Sequence, residues 1–302
     1  MKLSLVVPCY NEEGNIKTFY DYVQEKYKKL KNYELIFVND GSKDNTLGEL
    51  KEISKIDKKH VKVLSLSRNF GKEAAMLAGL KYTEGDYVAI IDADMQQDPM
   101  IVLEMLDILE KDDNYDVVAA FQEKRREGKL LSFFKKTFYS IINDMSQVEF
   151  RQGASDFRLF RRCVVEAILS LEEKNRFSKG IFSFVGYNTY YLPYVPEERN
   201  AGVSSFSFNK LLNYAISGIV SFSTEPLRLP IYLGITFFVA SFITFILFLF
   251  NMEIVLGLAV LILFISGLQF MVMGIIGEYV SQMHIESKNR PVYIIQDKIN
   301  IK

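Results

Sequence analysis

Two aspartates set one residue apart, Asp92 and Asp94, follow the apolar run YVAII (Tyr87 to Ile91) in the stretch YVAIIDADMQQDP. Carboxylates at that range repel one another and resist leaving water, so a buried strand gains nothing from such a pair at its exit. Either the strand end is solvated or a positive group sits between them. An acidic pair is the wrong sign for a bare phosphate. It suits a phosphate bridged by a hard divalent cation, because Mg2+ takes oxygen ligands and is commonly shared between one or two carboxylates and substrate phosphates. It also suits the hydroxyl and N–H donors of a ribose and a base. Other apolar runs end in polar residues too: Asn11 and Glu12, Asp40, and Arg68 with Asn69.

These residues need a scaffold that gathers strand ends. Short apolar runs alternate with amphipathic stretches: LSLVVP before a helical pattern from about Asn15 to Leu30, YELIFVND before TLGELKEISKI, VKVLSLS before KEAAMLAGLKY, and YVAIIDAD before PMIVLEMLDILEK. YDVVAAF adds a further strand. Apolar strands spaced by helices predict βαβ units and an α/β fold, a mostly parallel sheet covered on both faces. Ligands of such sheets bind outside the carboxyl ends of the strands, where the acidic residues lie.

Composition narrows the chemistry. The 302 residues carry 36 Lys and Arg against 37 Asp and Glu, so net charge gives a nucleic-acid partner no support. Cys9 and Cys163 stand far apart and fit a reducing compartment rather than a disulfide framework. His60 and His284 have no partner at ligand spacing, which argues against histidine metal sites and triads. The first strand runs into PCYNEEGN and not a G-x-G-x-x-G turn, and no G-x-x-x-x-G-K-[ST] occurs, so dinucleotide and P-loop sites are disfavoured.

The C-terminal third differs in kind. Leu229 to Phe250 and Ile254 to Ile276 are uncharged but for the short NME turn region between them. At about 1.5 Å per residue each is long enough to cross a bilayer. Arg228 precedes the first run and Lys288, Arg290 and Lys298 follow the second, which predicts a hairpin with both ends in the cytoplasm. EKRREGKLLSFFKKTFYSIINDM and FNKLLNYAISGIVSFS read as interfacial helices on a lipid surface.

In their order and spacing, VVPCYNEEGN, FVNDGSKDNT, SRNFGKEAAMLAGL and DADMQQDP resemble the inverting GT-A glycosyltransferases that use nucleotide sugars. SDFRLFRR, RNAGVSSFSFNKLL, SFSTEPLRLP and GEYVSQMHIESKNRPVY narrow the resemblance to the polyprenyl-phosphate glycosyltransferases. The resemblance implies a Rossmann-like GT-A catalytic domain over residues 1–205, a juxtamembrane interfacial helix over 206–228, two transmembrane helices over 229–276 and a cytoplasmic tail over 277–302. It implies transfer of one sugar, UDP-linked by analogy, to a polyprenyl phosphate at the inner membrane, with Mg2+ or Mn2+, and it leaves room for a homo-oligomer.

The same resemblance assigns roles. Pro8, Tyr10, Glu12, Asp40, Lys72 and Asp92 fall in donor-binding segments, and Asp92, Asp94 and Gln96 match a D-x-D-x-Q metal element. Asp94, Asp156 and Arg158 are the catalytic candidates. Arg125, Arg126, Arg199 and Ser204 match the acceptor-phosphate side. Simpler roles stand beside these: Asp40 as a turn residue before Gly41, Glu12 as a cap for the first helix, and Asp156 as a partner of Arg158 or Arg161. Where relatives read D-L-Q-D-P-P, this chain has Met95-Gln96-Gln97-Asp98-Pro99, which moves the next acid by one place and leaves Asp98 without an expected metal role. On this reading the positive partner of the aspartate pair is a metal ion and not a lysine. A processive polysaccharide synthase is a rival, but its Q-x-x-R-W element is absent because the chain has no tryptophan. A non-enzymatic membrane adaptor would explain the apolar runs but not the acidic strand ends.

Overall fold

A computed structural model describes residues 2–30, 32–122, 154–195, 227, 229–248 and 255–301. Arg125, Arg126, Arg199 and Ser204, with both expected interfacial helices, lie outside the described residues. Four strand–helix units come first: β1 (Leu3–Cys9) with α1 (Asn15–Lys26), β2 (Tyr33–Asn39) with α2 (Thr46–Ile56), β3 (Val61–Leu66) with α3 (Lys72–Lys81), and β4 (Tyr87–Ile90) with α4 (Met100–Lys111). Next are β5 (Val117–Gln122), β6 (Ala154–Arg161), α5 (Arg162–Ser170), α6 (Ser178–Phe184) and β7 (Thr189–Tyr194). Two apolar helices, α7 (Leu229–Phe248) and α8 (Val255–Ser287), precede a last strand, β8 (Ile295–Ile299).

The eight strands form one sheet in the order β7-β5-β6-β4-β1-β2-β3-β8. The centre, β4-β1-β2-β3, is parallel, as the alternation of apolar runs and helices predicts. The sheet is mixed overall, because β6 runs antiparallel to both β4 and β5, and β8 antiparallel to β3. Every residue of β2 is buried, including Glu34, since helices cover both faces. Leu3, Leu5, Val7 and Cys9 pack on one face with Ile16, Phe19 and Val23 of α1 and with Val102 and Met105 of α4. Val6 points to the other face, toward Met76 and Leu80 of α3. There α3 lies so close that a Cβ on Gly79 would come within 2.3 Å of Val6 Cγ1 and 3.1 Å of Val38 Cγ2.

At the amino ends of the central strands a buried charge network closes the sheet. Glu34 is 1% exposed and receives Lys2 Nζ at 2.9 Å, Lys62 Nζ at 2.8 Å and the Ser4 hydroxyl at 2.5 Å. Burial pushes its carboxyl up, but Lys62, Ser4, the Glu84 N–H and Lys2 together hold it below its ordinary value. At the opposite ends lie the polar residues singled out above.

α8 is one unbroken helix of 33 residues. It runs on to Ser287, past the Ile276 that ends the apolar run, because GEYVSQMHIES contains no proline and Pro291 comes only later. Phe264–Ser287 is long and apolar enough to cross a membrane, and none of it is buried in the protein. α7 packs against α8. The residues after α8 return to the sheet edge, where β8 pairs with β3. Asn300 Nδ2 there donates to Ser54 O and Val61 O at 2.8 and 2.9 Å.

Candidate active site

The carboxyl ends of β1, β2, β3 and β4 meet along one rim. β2 delivers Asp40, which is 3% exposed. Its two carboxylate oxygens accept the backbone N–H groups of Phe70 and Gly71 at 2.7 and 2.9 Å. Burial, only partly offset by these bonds and by Arg68, raises its carboxyl above the ordinary value. Asp40 thus braces the turn that launches α3. Gly41 after it has φ of 62°, and a Cβ there would sit 2.3 Å from the Arg68 carbonyl carbon, so the turn demands glycine.

That brace aims Lys72, the first residue of α3, across the rim. Its ammonium lies 2.6 Å from Asp92 Oδ1, 2.9 Å from Asp92 Oδ2 and 3.6 Å from Asp156 Oδ2. Burial pulls the ammonium down, but Asp92 and Asp156 outweigh it and hold Lys72 protonated well above its usual range. The lysine set aside as a partner of the aspartate pair is thus present at Asp92, beside the carboxylate expected to meet a metal ion. Lys72 supplies a cation from a neighbouring helix, 20 residues away in sequence, which local reading of DADMQQDP could not see.

Asp156 enters from β6, which runs antiparallel beside β4. Burial pushes its carboxyl up, yet Lys72, Lys179 and Arg158 outweigh that and keep it below its ordinary value. Its Oδ1 is buried with no hydrogen-bond partner among the described residues. Arg158, 4% exposed, donates through Nε to Ser155 O at 3.0 Å and stacks over Phe182 at 4.8 Å. Arg161 turns away from the site to Leu109 O, Tyr115 O and Asp113. Among the described residues, the ion pair made with Asp156 is that of Lys72 at 3.6 Å.

The segment after Asp92 folds back on itself. Met95 adopts φ of 59°, a left-handed conformation uncommon for a residue with a side chain. Asp94 Oδ1 accepts the Gln96 backbone N–H at 3.1 Å. The side chain that reaches Asp92 belongs to Gln97: Nε2 donates to Oδ2 at 3.1 Å and Oε1 accepts the Asp92 N–H at 3.0 Å. Asp98 works elsewhere, accepting Tyr22 Oη–H at 2.9 Å and the Met100 N–H at 2.8 Å, so it ties α1 to the start of α4.

At the end of β1, Tyr10 is 40% exposed, and Pro8 precedes it within the strand. Glu12 uses its backbone to start α1, its carbonyl accepting the N–H of Asn15 at 3.0 Å, while its carboxylate accepts Asn15 Nδ2 at 2.7 Å. Cys9, buried beneath this rim, has its thiol pushed well up by burial and by Glu12 and Asp92, and is inert packing.

Two contributors were not legible in the motifs. Gln97 is one, hidden by an adjacent glutamine that fits the D-x-D-x-Q spacing. Glu73 is the other: its Oε2 accepts the Ser178 N–H at 3.1 Å and the Ser178 hydroxyl, joining α3 to α6. Burial and the nearby Asp156 push the Glu73 carboxyl up to about 8, against the pull of Ser178, Lys72 and Arg176.

Asp92, Asp156 and Lys72 thus form one polar cluster at the rim, with Asp94 two residues on from Asp92 and bonded to the Gln96 N–H. The donor set for a cation is all oxygen, which suits a hard divalent ion. Among the described residues no group of three metal-ligating side chains is preassembled, so the carboxylates would share such an ion with a substrate's phosphates. The buried, unpartnered Asp156 Oδ1 leaves acceptor capacity in the same cluster.

The sequence pattern of Glycosyl transferase family 2 matches residues 4–169, which span the sheet from β1 to α5. A bactoprenol glucosyl transferase of Shigella phage SfV is 42% identical over 315 residues, covering 99% of this chain and 99% of the relative. A prophage bactoprenol glucosyl transferase homolog of Escherichia coli (strain K12) is 41% identical, covering 98% and 99%. The uncharacterized glycosyltransferase YkcC of Bacillus subtilis (strain 168) is 39% identical, covering 100% and 95%. These alignments take in the apolar helices and β8 as well as the acidic rim, and on that breadth the chain belongs to glycosyltransferase family 2, as a GT-A glycosyltransferase.

Proposed function

We propose that this enzyme transfers a single sugar from a UDP-linked donor to a polyprenyl phosphate at the cytoplasmic face of the inner membrane, with inversion at the anomeric carbon. The observation that carries the reading is the joining, in one chain, of an acidic strand-end cluster to a long exposed apolar helix. The relatives named as bactoprenol glucosyl transferases, aligned over nearly all of this chain, supply the acceptor class. In this reading residues 229–276, in α7 and the first part of α8, are the membrane hairpin, residues 1–205 the catalytic domain, 206–228 an interfacial helix and 277–302 the cytoplasmic tail.

Tyr10, Pro8, Glu12 and Asp40 form the donor side, where the exposed Tyr10 ring offers a face to a base. Asp92 and Asp94, with Gln96 beside them, would hold Mg2+ or Mn2+, which would supply charge stabilisation for the departing nucleoside diphosphate. A phosphate monoester acceptor is largely ionised near neutral pH, its second pKa being about 6, so the site needs alignment more than a strong base. Asp156, held ionised by Lys72, serves with Arg158 to orient the reacting groups. Arg125, Arg126, Arg199 and Ser204 grip the acceptor phosphate, for which guanidinium forks are suited.

The test is a donor screen with purified enzyme, Mg2+ or Mn2+, and a short polyprenyl phosphate, read by mass spectrometry. One added hexose per lipid phosphate is expected. A ladder of products would establish a polymerising synthase instead, and no product with any donor would return the chain to the adaptor reading.

A further inference from the structure

Asp92 is held from two sides by donors of different kinds. Lys72 approaches from the open side, its side chain 43% exposed, whereas Gln97 approaches from the core and is 7% exposed. The Gln97 amide is used twice, once on the Asp92 backbone and once on its carboxylate. Glutamine can do this because one planar group carries both a donor and an acceptor, whereas an ionised carboxylate offers acceptors alone. The left-handed Met95 turns the loop so that residue 97 returns to residue 92. A strained turn of this kind persists when its surroundings over-determine it, and the reciprocal amide pairing is part of what does so.

We propose that Gln97 is the positioning residue of this site: its buried amide holds the Asp92 carboxylate in place while the exposed Lys72 gives way to a cation and a nucleoside diphosphate. Oδ2, which now meets both Gln97 and Lys72, stays on Gln97, and Oδ1, which meets Lys72, is the oxygen presented. This inference rests on the nucleotide-sugar reading of the site. Groups that orient a metal-binding carboxylate from behind commonly contribute about 10- to 100-fold in affinity. Gln97 itself touches neither substrate nor ion.

The experiment uses the full-length protein in detergent, with Mn2+ and UDP as probes. Wild type, Gln97→Glu and Gln97→Met are compared by calorimetric titration of UDP in Mn2+, by the Mn2+ paramagnetic resonance spectrum, and by thermal melting. Gln97→Glu keeps an acceptor for the Asp92 N–H but sets two carboxylates in contact, and Gln97→Met keeps the length and removes both bonds. Both variants are expected to weaken Mn2+·UDP binding by about tenfold or more and to change the ternary Mn2+ spectrum. The Gln97→Glu melt should fall below that of wild type, because a buried carboxylate beside Asp92 repels it, and the Gln97→Met melt should fall through loss of the two bonds alone. Wild-type affinity in Gln97→Glu, with or without a lower melt in Gln97→Met, would reduce Gln97 to a loop-folding residue and overturn the proposal. Failure of wild type itself to bind Mn2+·UDP would instead overturn the nucleotide-sugar reading, and the clamp with it.

Discussion

Replacing Lys72 by methionine keeps the aliphatic stem and removes the ammonium that lies 2.6 Å from Asp92 and 3.6 Å from Asp156. The two carboxylates are then left facing one another at about 6 Å or less, where two unit charges at an effective dielectric of about 20 repel by about 3 kcal/mol. Asp92 is 31% exposed and Lys72 43%, so solvent screens part of this, and about 2 kcal/mol is the expected loss at pH 7. For a domain of this size that lowers the melting temperature by about 4–8 °C. The sign with pH follows from the ionised pair. Asp156 is held below its ordinary value, so its stabilisation is present above the usual carboxylate range and is lost as pH falls through its depressed folded value. In the variant the carboxyl titrates higher, and protonation relieves the repulsion sooner. The gap between wild type and Lys72→Met should be widest near pH 7 and narrow toward about pH 4. Because the chain has no tryptophan, circular dichroism or calorimetry of the detergent-solubilised protein is the assay. A gap that is the same at every pH, or no gap, would refute the electrostatic account.

Chelation of divalent cations should abolish transfer to lipid phosphate, and added Mn2+ or Mg2+ should restore it. Glu34→Ala leaves Lys2 and Lys62 with the exposed Glu84 alone and should cost about 1–3 kcal/mol by denaturant unfolding, while enzyme that remains folded keeps its donor KM, since the network lies at the far ends of the strands. Gly79→Ala forces a methyl against Val6 and Val38 and should cost about 1–3 kcal/mol in the same assay. Removal of residues 295–302 uncovers the β3 edge, and light scattering should then detect association that the full chain does not show.

The parallel centre of the sheet was legible because β1 to β4 are short apolar runs separated by helices with one apolar face, as Ile16, Phe19, Tyr20 and Val23 show in α1. The antiparallel strands were not. β6 carries Asp156, Arg158 and Arg161 among its apolar residues, and β8 reads IQDKI, so neither has the continuous apolar run of a central strand. Asp92 and Asp94 were legible from type and spacing alone. What stands opposite Asp92 was not, because Lys72 and Asp156 arrive from α3 and β6, and only the sheet order brings them to one rim. Gln97 against Gln96 was a choice between neighbours that backbone torsion at Met95 decides, and torsion leaves little mark on a sequence without glycine at that point.

The placement of β8 has a consequence for biosynthesis. A chain emerges from the ribosome from its amino end, so the strand that completes the outer edge of the catalytic sheet is synthesised only after both apolar helices. Until then β3 stands with an open edge, and Asn300 has not yet closed over Ser54 and Val61. The last bonds of the sheet are therefore made by a segment whose start is fixed by where α8 ends, and Glu286 of α8 also accepts the backbone N–H groups of Lys174 and Asn175 at 2.7 and 3.3 Å. Completion of the sheet is in this way a late event in synthesis, made only after the two apolar helices have emerged.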